Sequence, residues 1–341
     1  MSSKFSAKEI IVVGIGSAGV RIASALSRES LMIDRFAYIS CDRSDLEDVD
    51  GETLLIEGPI EQKLSPSMVR GLSISHRDSI RNLIGGSRVV LVVAGLGGAT
   101  GSGLAPIVAE LSKECGSIPI SVAIMPFEFE RKLRFYAGLA LRRLRTVSSG
   151  VIVVDNDEIL KATGEATLKE IHDMANAEVV GALSCLLSKP SEKAIPAGLN
   201  KVLGTVLQEG YSILAIATSG AVDKTEDAIA RAVIGINALA EGKEAKHAVI
   251  ALSGDSSLSA GETGMAVKRL GSIMGNQALD LEYSVRYTGG SQLLVGLLAS
   301  GFKSTKYDAY DPLGAILGAN VLDDGMDYSM VPGLEILESC E

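Results

Sequence analysis

Short apolar segments alternate along this chain with longer segments in which apolar residues recur every three or four positions. The uninterrupted apolar run Val89–Ala94 and the largely apolar segment Ile118–Met125 are typical of strands buried on both faces of a parallel sheet. The residues from Leu104 to Cys115 have instead the spacing of an amphipathic helix. Because strand and helix alternate in this way, the pattern predicts an α/β fold with a doubly wound, Rossmann-like parallel sheet.

The pattern restarts after one long predicted helix, which runs from Thr167 to Lys189. Thr167 and Glu170 have the spacing of a capping box, and Pro190 ends the helix. Further on, Leu279–Thr288 alternates apolar and polar residues, which indicates a sheet with one covered face. The final segment, 308–341, is acidic and loop-like. We therefore expect three parts: an N-terminal α/β domain at 1–166, the central helix with an interdomain loop at 167–210, and a smaller C-terminal α/β domain at 211–341.

Five glycines crowd the nine residues from Gly95 to Gly103, directly after the first apolar run and before a predicted helix. Glycine has no Cβ, so this density predicts that backbone N–H groups approach a ligand closely. Thr100 and Ser102 add hydroxyl groups, and the following helix N-terminus favours negative charge. The stretch therefore predicts an anion site; the alternative is a tight strand-to-helix turn, which needs fewer glycines.

A second glycine turn, Gly14–Gly19, has the G-x-G-x-x-G pattern after a short strand. Asp42 follows about twenty residues later and fits a ribose contact, although a helix cap or a turn residue explains it equally well. These two features also support an alternative function, a nicotinamide-dependent oxidoreductase. Loops at Pro126 and Asn156 follow further strands, so they belong to the same sheet edge, where ligands bind in open α/β sheets.

Composition excludes several classes of protein. The 341 residues are 47% apolar and carry a formal net charge of -10, which argues against a general nucleic-acid surface. Four cysteines and three histidines are scattered without metal-site spacing, so we expect reduced thiols and no zinc site. The first eight residues are polar and no apolar run reaches transmembrane length. We expect a cytoplasmic protein without a signal peptide or membrane insertion.

Several motifs, in the same order along the chain, resemble those of the FtsZ/tubulin superfamily. Gly95–Gly103 is similar to the family's glycine-rich signature, with Ala99 where a third consecutive glycine is usual and Ser102 as in tubulins. Gly14–Gly19 occupies the place of the first nucleotide loop, and Ile39–Asp42 resembles the second. The resemblance covers most of the chain up to the last predicted strand.

The resemblance continues on the ribose and guanine sides of the site. Pro126–Arg134 is similar to the segment P-F-x-x-E followed four residues later by Arg, with Arg131 in place of the usual Gly. Asn176 aligns with the central-helix segment beneath guanine, where Ala177 replaces the usual Asp. The nucleotide contacts that the resemblance implies are Gly16, Ser17, Ala18, Gly19, Asp42, Gly95, Gly97, Gly98, Ala99, Thr100, Gly101, Ser102, Glu130, Arg134, Asn156 and Asn176.

The resemblance implies a divergent prokaryotic, archaeal-type FtsZ-like protein that binds GTP or GDP with Mg²⁺. Such a protein would assemble head to tail into filaments, in cell division or cell shape. The family's catalytic loop resembles N-x-D-x-x-D, but the equivalent Gly198–Gly204 keeps Asn200 and has Lys201 and Leu203 near the acidic positions. We therefore expect weak or absent GTP hydrolysis. The alternative within the family is a nucleotide-bound regulator of another FtsZ-like filament.

Overall fold

The computed structural model describes residues 10–59, 63–157, 167–219, 224–255, 258, 260–289 and 292–310. One mixed sheet runs through this part of the chain. Its strands are β1 Ile10–Ile15, β2 Arg35–Ser40, β3 Glu52–Leu55, β4 Val89–Gly95, β5 Ile118–Met125, β6 Gly150–Asp155, β7 Ala194–Ile195, β8 Tyr211–Ser219, β9 His247–Gly254, β10 Asp280–Tyr287 and β11 Leu293–Phe302. The helices are α1 Gly16–Ser27, α2 Pro66–Ser73, α3 Arg77–Ile84, α4 Ala99–Glu114, α5 Arg131–Val147, α6 Leu168–Leu187, α7 Leu199–Val206, α8 Lys224–Leu239 and α9 Ala260–Ile273.

The strand order is β3-β2-β1-β4-β5-β6-β8-β11-β9-β10-β7. All neighbours from β3 to β8 are parallel, and β11 runs antiparallel to both β8 and β9. This arrangement confirms the predicted α/β class with a mostly parallel sheet. A short parallel pairing of β6 with β8, at Ile152–Ser212 and Val153–Ile213, makes the sheet continuous across the two expected domains. The domain boundaries at 166/167 and 210/211 stay a prediction.

Helices cover both faces of the sheet, as the apolar strands require. In β1, Ile11 and Val13 pack in the same apolar cluster as residues of α2 to α5, α8 and α9. Ile10 and Val12 belong to the opposite cluster, together with residues of α1, α6 and α7. All six residues of β1 are buried, so the strand reads as an unbroken apolar run rather than an alternating one.

Helix α6 runs from the side of the sheet where the parallel strands end to the side where they begin. The predicted capping box is present: the Thr167 side chain accepts from the Glu170 backbone, and the Glu170 side chain accepts from the Thr167 backbone. At the other end of α6, the Leu187 carbonyl accepts the Met32 N–H just before β2. Helix α6 therefore ends at the edge where the parallel strands begin. None of the helices in the described ranges combines the length and hydropathy that a membrane span requires.

Strand β10 departs from the predicted pattern, in which its apolar residues are covered and its polar residues are exposed. Tyr283 is 47% exposed, whereas Ser284 is fully buried. The Ser284 hydroxyl accepts the Ala197 N–H at 2.9 Å, next to the short pairing of β10 with β7. A hydrogen bond to backbone thus compensates for burying this polar residue.

Candidate functional site

The two glycine turns lie against each other at the carboxyl edge of the sheet. Gly16 has φ +66°, and a Cβ built on it would lie 3.2 Å from Thr100 Cβ and 3.5 Å from the Gly101 nitrogen. A Cβ on Gly95 would lie 2.9 Å from Ala18 Cβ. Helices α1 and α4 therefore begin side by side, and the positive ends of their dipoles point to the same space beside the two glycine turns.

Contacts within the protein explain most glycines of the second turn. A Cβ on Gly101 would lie 2.0 Å from the Gly95 oxygen, and one on Gly97, at φ +99°, would lie 2.8 Å from Leu133 Cβ. A Cβ on Gly103 would meet the backbone oxygen of α2's first residue at 2.8 Å. Among the five glycines, Gly98 alone faces open space. Packing within the protein is therefore a second reason for glycine at the other four positions, besides the ligand approach that the sequence predicts.

The start of α4 presents backbone N–H groups toward the open side of the loop. The first intrahelical bond runs from the Ser102 N–H to the Gly98 carbonyl at 3.1 Å, so Ala99, Thr100 and Gly101 precede it and have no intrahelical acceptor. Gly98 is exposed, and Ala99 and Thr100 are half-buried. The Ser102 hydroxyl is buried and accepts the Gly97 N–H at 2.7 Å, so it braces the loop.

The loop after β2 also contacts the second glycine turn, but its residue Asp42 forms hydrogen bonds within the loop itself. The Cys41 thiol is hydrogen-bonded to the Thr100 side chain, and burial raises the pKa of Cys41. The Asp42 carboxylate accepts both the N–H and the hydroxyl of Ser44, at 2.9 and 2.8 Å, and these bonds lower the pKa of Asp42. Asp42 is exposed and caps a short 3₁₀ turn, which is the alternative left open by its sequence position. On the first turn, Ser17 is exposed.

The segment after β5 forms the next wall of the edge. The Glu130 Oε2 atom accepts the Phe127 N–H at 2.9 Å, and its Oε1 atom lies 3.8 Å from His172 Nε2 on α6. The Phe127 ring makes an edge contact with the His172 ring at 4.9 Å. Arg134 is 9% exposed, with its Nη1 atom 3.6 Å from Glu128 Oε1. The turn thus holds Glu130 against the start of α6 and Arg134 beside Glu128.

The loop after β6 carries a buried amide with spare hydrogen-bonding capacity. Asn156 is 7% exposed, and its Oδ1 atom has no hydrogen-bond partner among the described residues. Asp157 accepts the Glu128 N–H at 2.7 Å, and burial, reinforced by the charge of Asp155, raises the pKa of Asp157. A buried acceptor left without a donor is costly, so Asn156 is well placed to meet a donor on a ligand.

Lys306 and Tyr307, which the sequence analysis missed, lie beside the end of β6. The Lys306 ammonium donates to Asp155 Oδ2 at 2.5 Å, and the buried Tyr307 follows it. Burial and the charge of Asp155 raise the pKa of Tyr307. Lys306 and Asp155 are 151 residues apart, so no local pattern could have predicted their contact.

Asn176 lies on α6, close to the same edge. It is half-buried and stands one helical turn after His172, on the same face of the helix. Its neighbour Asp173 pairs with Arg21 of α1 at 3.2 Å. Asn176 is therefore on the stretch of α6 that lies between α1 and the turn after β5. Ala177, beside it, is exposed.

Asn200 lies far from this cluster, at the opposite edge of the sheet. It is exposed in the first turn of α7. The other end of α7 packs where β6 begins, since a Cβ on Gly150 would meet the Val206 oxygen at 2.7 Å. Lys201 pairs with Glu282 at 2.6 Å, and Leu203 is buried in the core. Within one chain the structure brings the other predicted residues to one edge and leaves Asn200 at the other.

Comparisons with known proteins agree with this arrangement. The model of the Tubulin/FtsZ family GTPase domain matches residues 65–164. Cell division protein FtsZ 1 of Halobacterium salinarum is 33% identical over 190 residues, which are 53% of this chain and 48% of that protein. Cell division protein FtsZ of Haloferax mediterranei is 27% identical over 272 residues, or 76% of this chain and 71% of that one. The match to the Halobacterium relative thus spans about half of its length.

Solved structures extend the likeness to almost the whole fold. An FtsZ dimer from M. jannaschii superposes with a TM-score of 0.74 at 22% identity, covering 87% of this chain and 92% of its own. A GTPγS-bound protofilament of CetZ2 from Haloferax volcanii gives 0.68 at 20% identity, covering 89% and 96%. The fold is therefore that of the tubulin/FtsZ class. Together with the family model and the curated relatives, this likeness makes the chain similar to FtsZ proteins over most of its length.

Proposed function

We propose that the protein binds GTP and GDP at the carboxyl edge of the sheet and assembles head to tail through that edge. The observation that carries the proposal is the contact between the two glycine turns, which places the starts of α1 and α4 together beside open space above Gly98. Backbone N–H groups at adjoining helix starts suit the phosphates of a nucleotide. The family model for a Tubulin/FtsZ GTPase domain supports this choice of ligand.

The remaining contacts follow the same edge. Backbone N–H groups around Gly16, Gly19, Gly98 and Gly101 would hold the phosphates, with Mg²⁺ accompanying a triphosphate. The Gly97 N–H is already bonded to the Ser102 hydroxyl and would brace the loop instead. Glu130 and Arg134 would stand on the ribose side. Asn156 and Asn176 would recognise the base, and the Asn156 Oδ1 atom, which accepts no hydrogen bond from the described residues, suits a donor on the edge of guanine. An unsatisfied buried group costs about 1–3 kcal/mol, enough to select against a base that lacks the matching donor.

Gly98 offers a direct test of phosphate binding. Its φ of -70° and ψ of 155° suit any residue, and a Cβ there meets no atom of the described residues within 4 Å. We expect Gly98→Val to keep the melting temperature and to lose most GTPγS affinity in calorimetry. Gly71→Val is the matched control, because Gly71 also faces open space but lies on α2. Unchanged affinity in Gly98→Val would refute this phosphate site.

Base selectivity is a separate measurement. Asn156→Leu removes the buried acceptor, so GTP affinity should fall toward that for ATP while ATP affinity changes little. Equal affinity of the wild-type chain for GTP and ATP would refute guanine recognition while leaving the phosphate site intact. Binding of NADH in place of GTP would favour the oxidoreductase alternative; against that alternative, the Asp42 carboxylate is already occupied by Ser44.

The proposed self-association follows from where the two groups of residues lie. The glycine turns are at the carboxyl edge of the sheet, and Asn200 is at the opposite edge. A head-to-tail stack would bring Asn200 and Lys201 of one copy to the nucleotide of the next, and a contact of this kind that does not close gives a filament. The GTPγS-bound protofilaments of CetZ2 and of Bacillus thuringiensis TubZ, both of similar fold, support this arrangement. Light scattering and pelleting with GTPγS test it. A chain that stays monomeric alone but pellets with an FtsZ filament would instead be a regulator.

Slow hydrolysis completes the proposal. Buried Leu203 cannot reach a neighbouring nucleotide, and the charge of Lys201 is already neutralised by Glu282. Neither residue supplies a carboxylate to orient water, and the loss of a positioned base typically costs about 10²–10⁴-fold in rate. Phosphate release measured in polymerising samples tests this. Several turnovers per minute would refute it, and Glu282→Gln would then show whether Glu282 is the missing acid.

A further inference from the structure

Helix α5 concentrates positive charge in an acidic protein. Its 17 residues include six basic and no acidic side chains, whereas the whole chain has a net charge of -10. Arg131 and Lys132 at its start are exposed, and Arg143 near its end is half-buried. None of these three forms an ion pair with the part of the chain that the structure describes. These exposed or half-buried positive charges lack a partner of opposite sign within the described residues, so this helix favours an acidic partner.

A partner of opposite charge begins beside the same helix. The last described element, a 3₁₀ helix at Lys306–Tyr310, packs on α5. Tyr211 joins the two: its hydroxyl donates to Asp308 at 3.2 Å, and the Arg145 guanidinium lies 4.7 Å from its ring centre. The next 31 residues, 311–341, contain seven acidic residues and no Lys or Arg.

We propose that residues 311–341 dock along α5 of the same chain. Helix α5 is about 25 Å long, and an extended segment of this length reaches up to about 100 Å, so it can follow the whole helix. Because the segment starts at the C-terminal end of α5, its effective concentration there is in the millimolar range without any second molecule. That proximity favours this occupant over a second copy or an anionic membrane.

The surface of α5 offers apolar contacts between its charges. Phe135 and Leu139 are half-buried and lie one helical turn apart, with Lys132 before them and Arg143 after them on the same face. Residues 334–338 read Leu-Glu-Ile-Leu-Glu and so combine apolar and acidic side chains. Docking would thus cover apolar surface and neutralise the basic face. The docking needs no nucleotide, and Arg134, the ribose-side residue of α5, is buried away from this face of the helix.

Carbodiimide crosslinking of the full-length chain tests the docking. The reagent joins an amine to a nearby carboxylate, and Lys132 is the one lysine of α5. We expect peptide mapping to find Lys132 joined to acidic residues of 311–341, with a yield independent of protein concentration. The yield should fall several-fold between about 0.05 M and about 0.5 M salt, because screening weakens exposed charge pairs. Exposed Lys268 on α9 is the internal control and should give no such product.

Variants and isotope mixing decide between occupants. Arg143→Glu should reduce the Lys132 product several-fold, whereas Lys268→Glu should not; circular dichroism checks that both variants are folded. Equal yields from Lys132 and Lys268, or a Lys132 product that is insensitive to Arg143→Glu, would overturn the proposal. Products that join ¹⁴N-labelled to ¹⁵N-labelled chains would assign the segment to a second copy. Loss of the product on adding phosphatidylserine vesicles, without added salt, would show that a membrane competes better for α5, and would overturn docking as its resting state.

Discussion

Glu178 makes stability depend on pH in a direction that is unusual for a carboxylate. It lies on α6, and its side chain is hydrogen-bonded to Thr218 on β8, across the junction between the central helix and the second half of the sheet. Burial raises the pKa of Glu178 from 4.5 to about 7, and the bond to Thr218 opposes this rise only in part. The folded protein therefore holds a proton that the unfolded chain releases at lower pH.

The sign and size of the effect follow from linkage. Between pH 4.5 and about 7 the folded state binds more protons than the unfolded state, so the free energy of unfolding falls as pH rises and then levels off above about 7. At 1.36 kcal/mol per pH unit, this difference in pKa corresponds to about 3 kcal/mol. Glu178 is half-buried, and residual hydration of its carboxylate reduces the expected loss to about 2 kcal/mol.

Glu178→Gln isolates this contribution, because glutamine keeps the shape and the hydrogen bond to Thr218 but does not ionise. Urea unfolding at pH 5 and pH 8 should show that the wild-type chain loses about 2 kcal/mol more than the variant. The variant should also be the more stable protein at pH 8. Glu209→Gln is the control, since Glu209 is exposed. The same pH dependence in wild type and Glu178→Gln would refute the assignment.

Three further predictions concern packing and charge. Gly101→Ala places a Cβ 2.0 Å from a backbone oxygen and should destabilise the fold by about 3 kcal/mol or more, whereas Gly98→Ala should keep the wild-type melting temperature; similar melting curves would contradict the packing argument. Lys306→Met leaves the buried Asp155 without its cation and should cost about 3–5 kcal/mol in urea unfolding, largely restored by adding Asp155→Asn; an equally unstable double variant would argue against it. Arg21→Ala breaks an exposed pair and should change the unfolding free energy by less than about 1 kcal/mol, with a larger loss showing an unrecognised role.

The elements near the site could be predicted from the sequence because their signals are local. The apolar run at Val89–Ala94 is long enough to indicate a buried strand, and the glycines after it mark where that strand turns into α4. Thr167 and Glu170 identify the start of α6 because the capping box needs a spacing of three. In a parallel sheet, consecutive strand ends necessarily meet at one edge, so the loops after these strands could be grouped without coordinates.

The roles of individual side chains were harder to predict, because they depend on neighbours distant in sequence. The density of glycines indicated close approach of a ligand. At position 101, however, a glycine is also required because the Gly95 carbonyl lies where a Cβ would be. Asp42 has the spacing of a ribose ligand, but its nearest donors belong to Ser44, two residues away. Lys306 was overlooked because its partner Asp155 is brought near only by the complete sheet.

The direction of the parallel strands also determines what a single copy can do. Strands β1, β4, β5 and β6 end beside the glycine turns and Asn156, while α6 returns the chain to the edge where those strands begin and delivers Asn200 there. No hinge within one chain can bring Asn200 to the glycine turns, because the sheet itself lies between them. Under the proposed function, chemistry that needs both must arise between copies displaced along the strand direction, so its rate would report on assembly rather than on the folded chain alone.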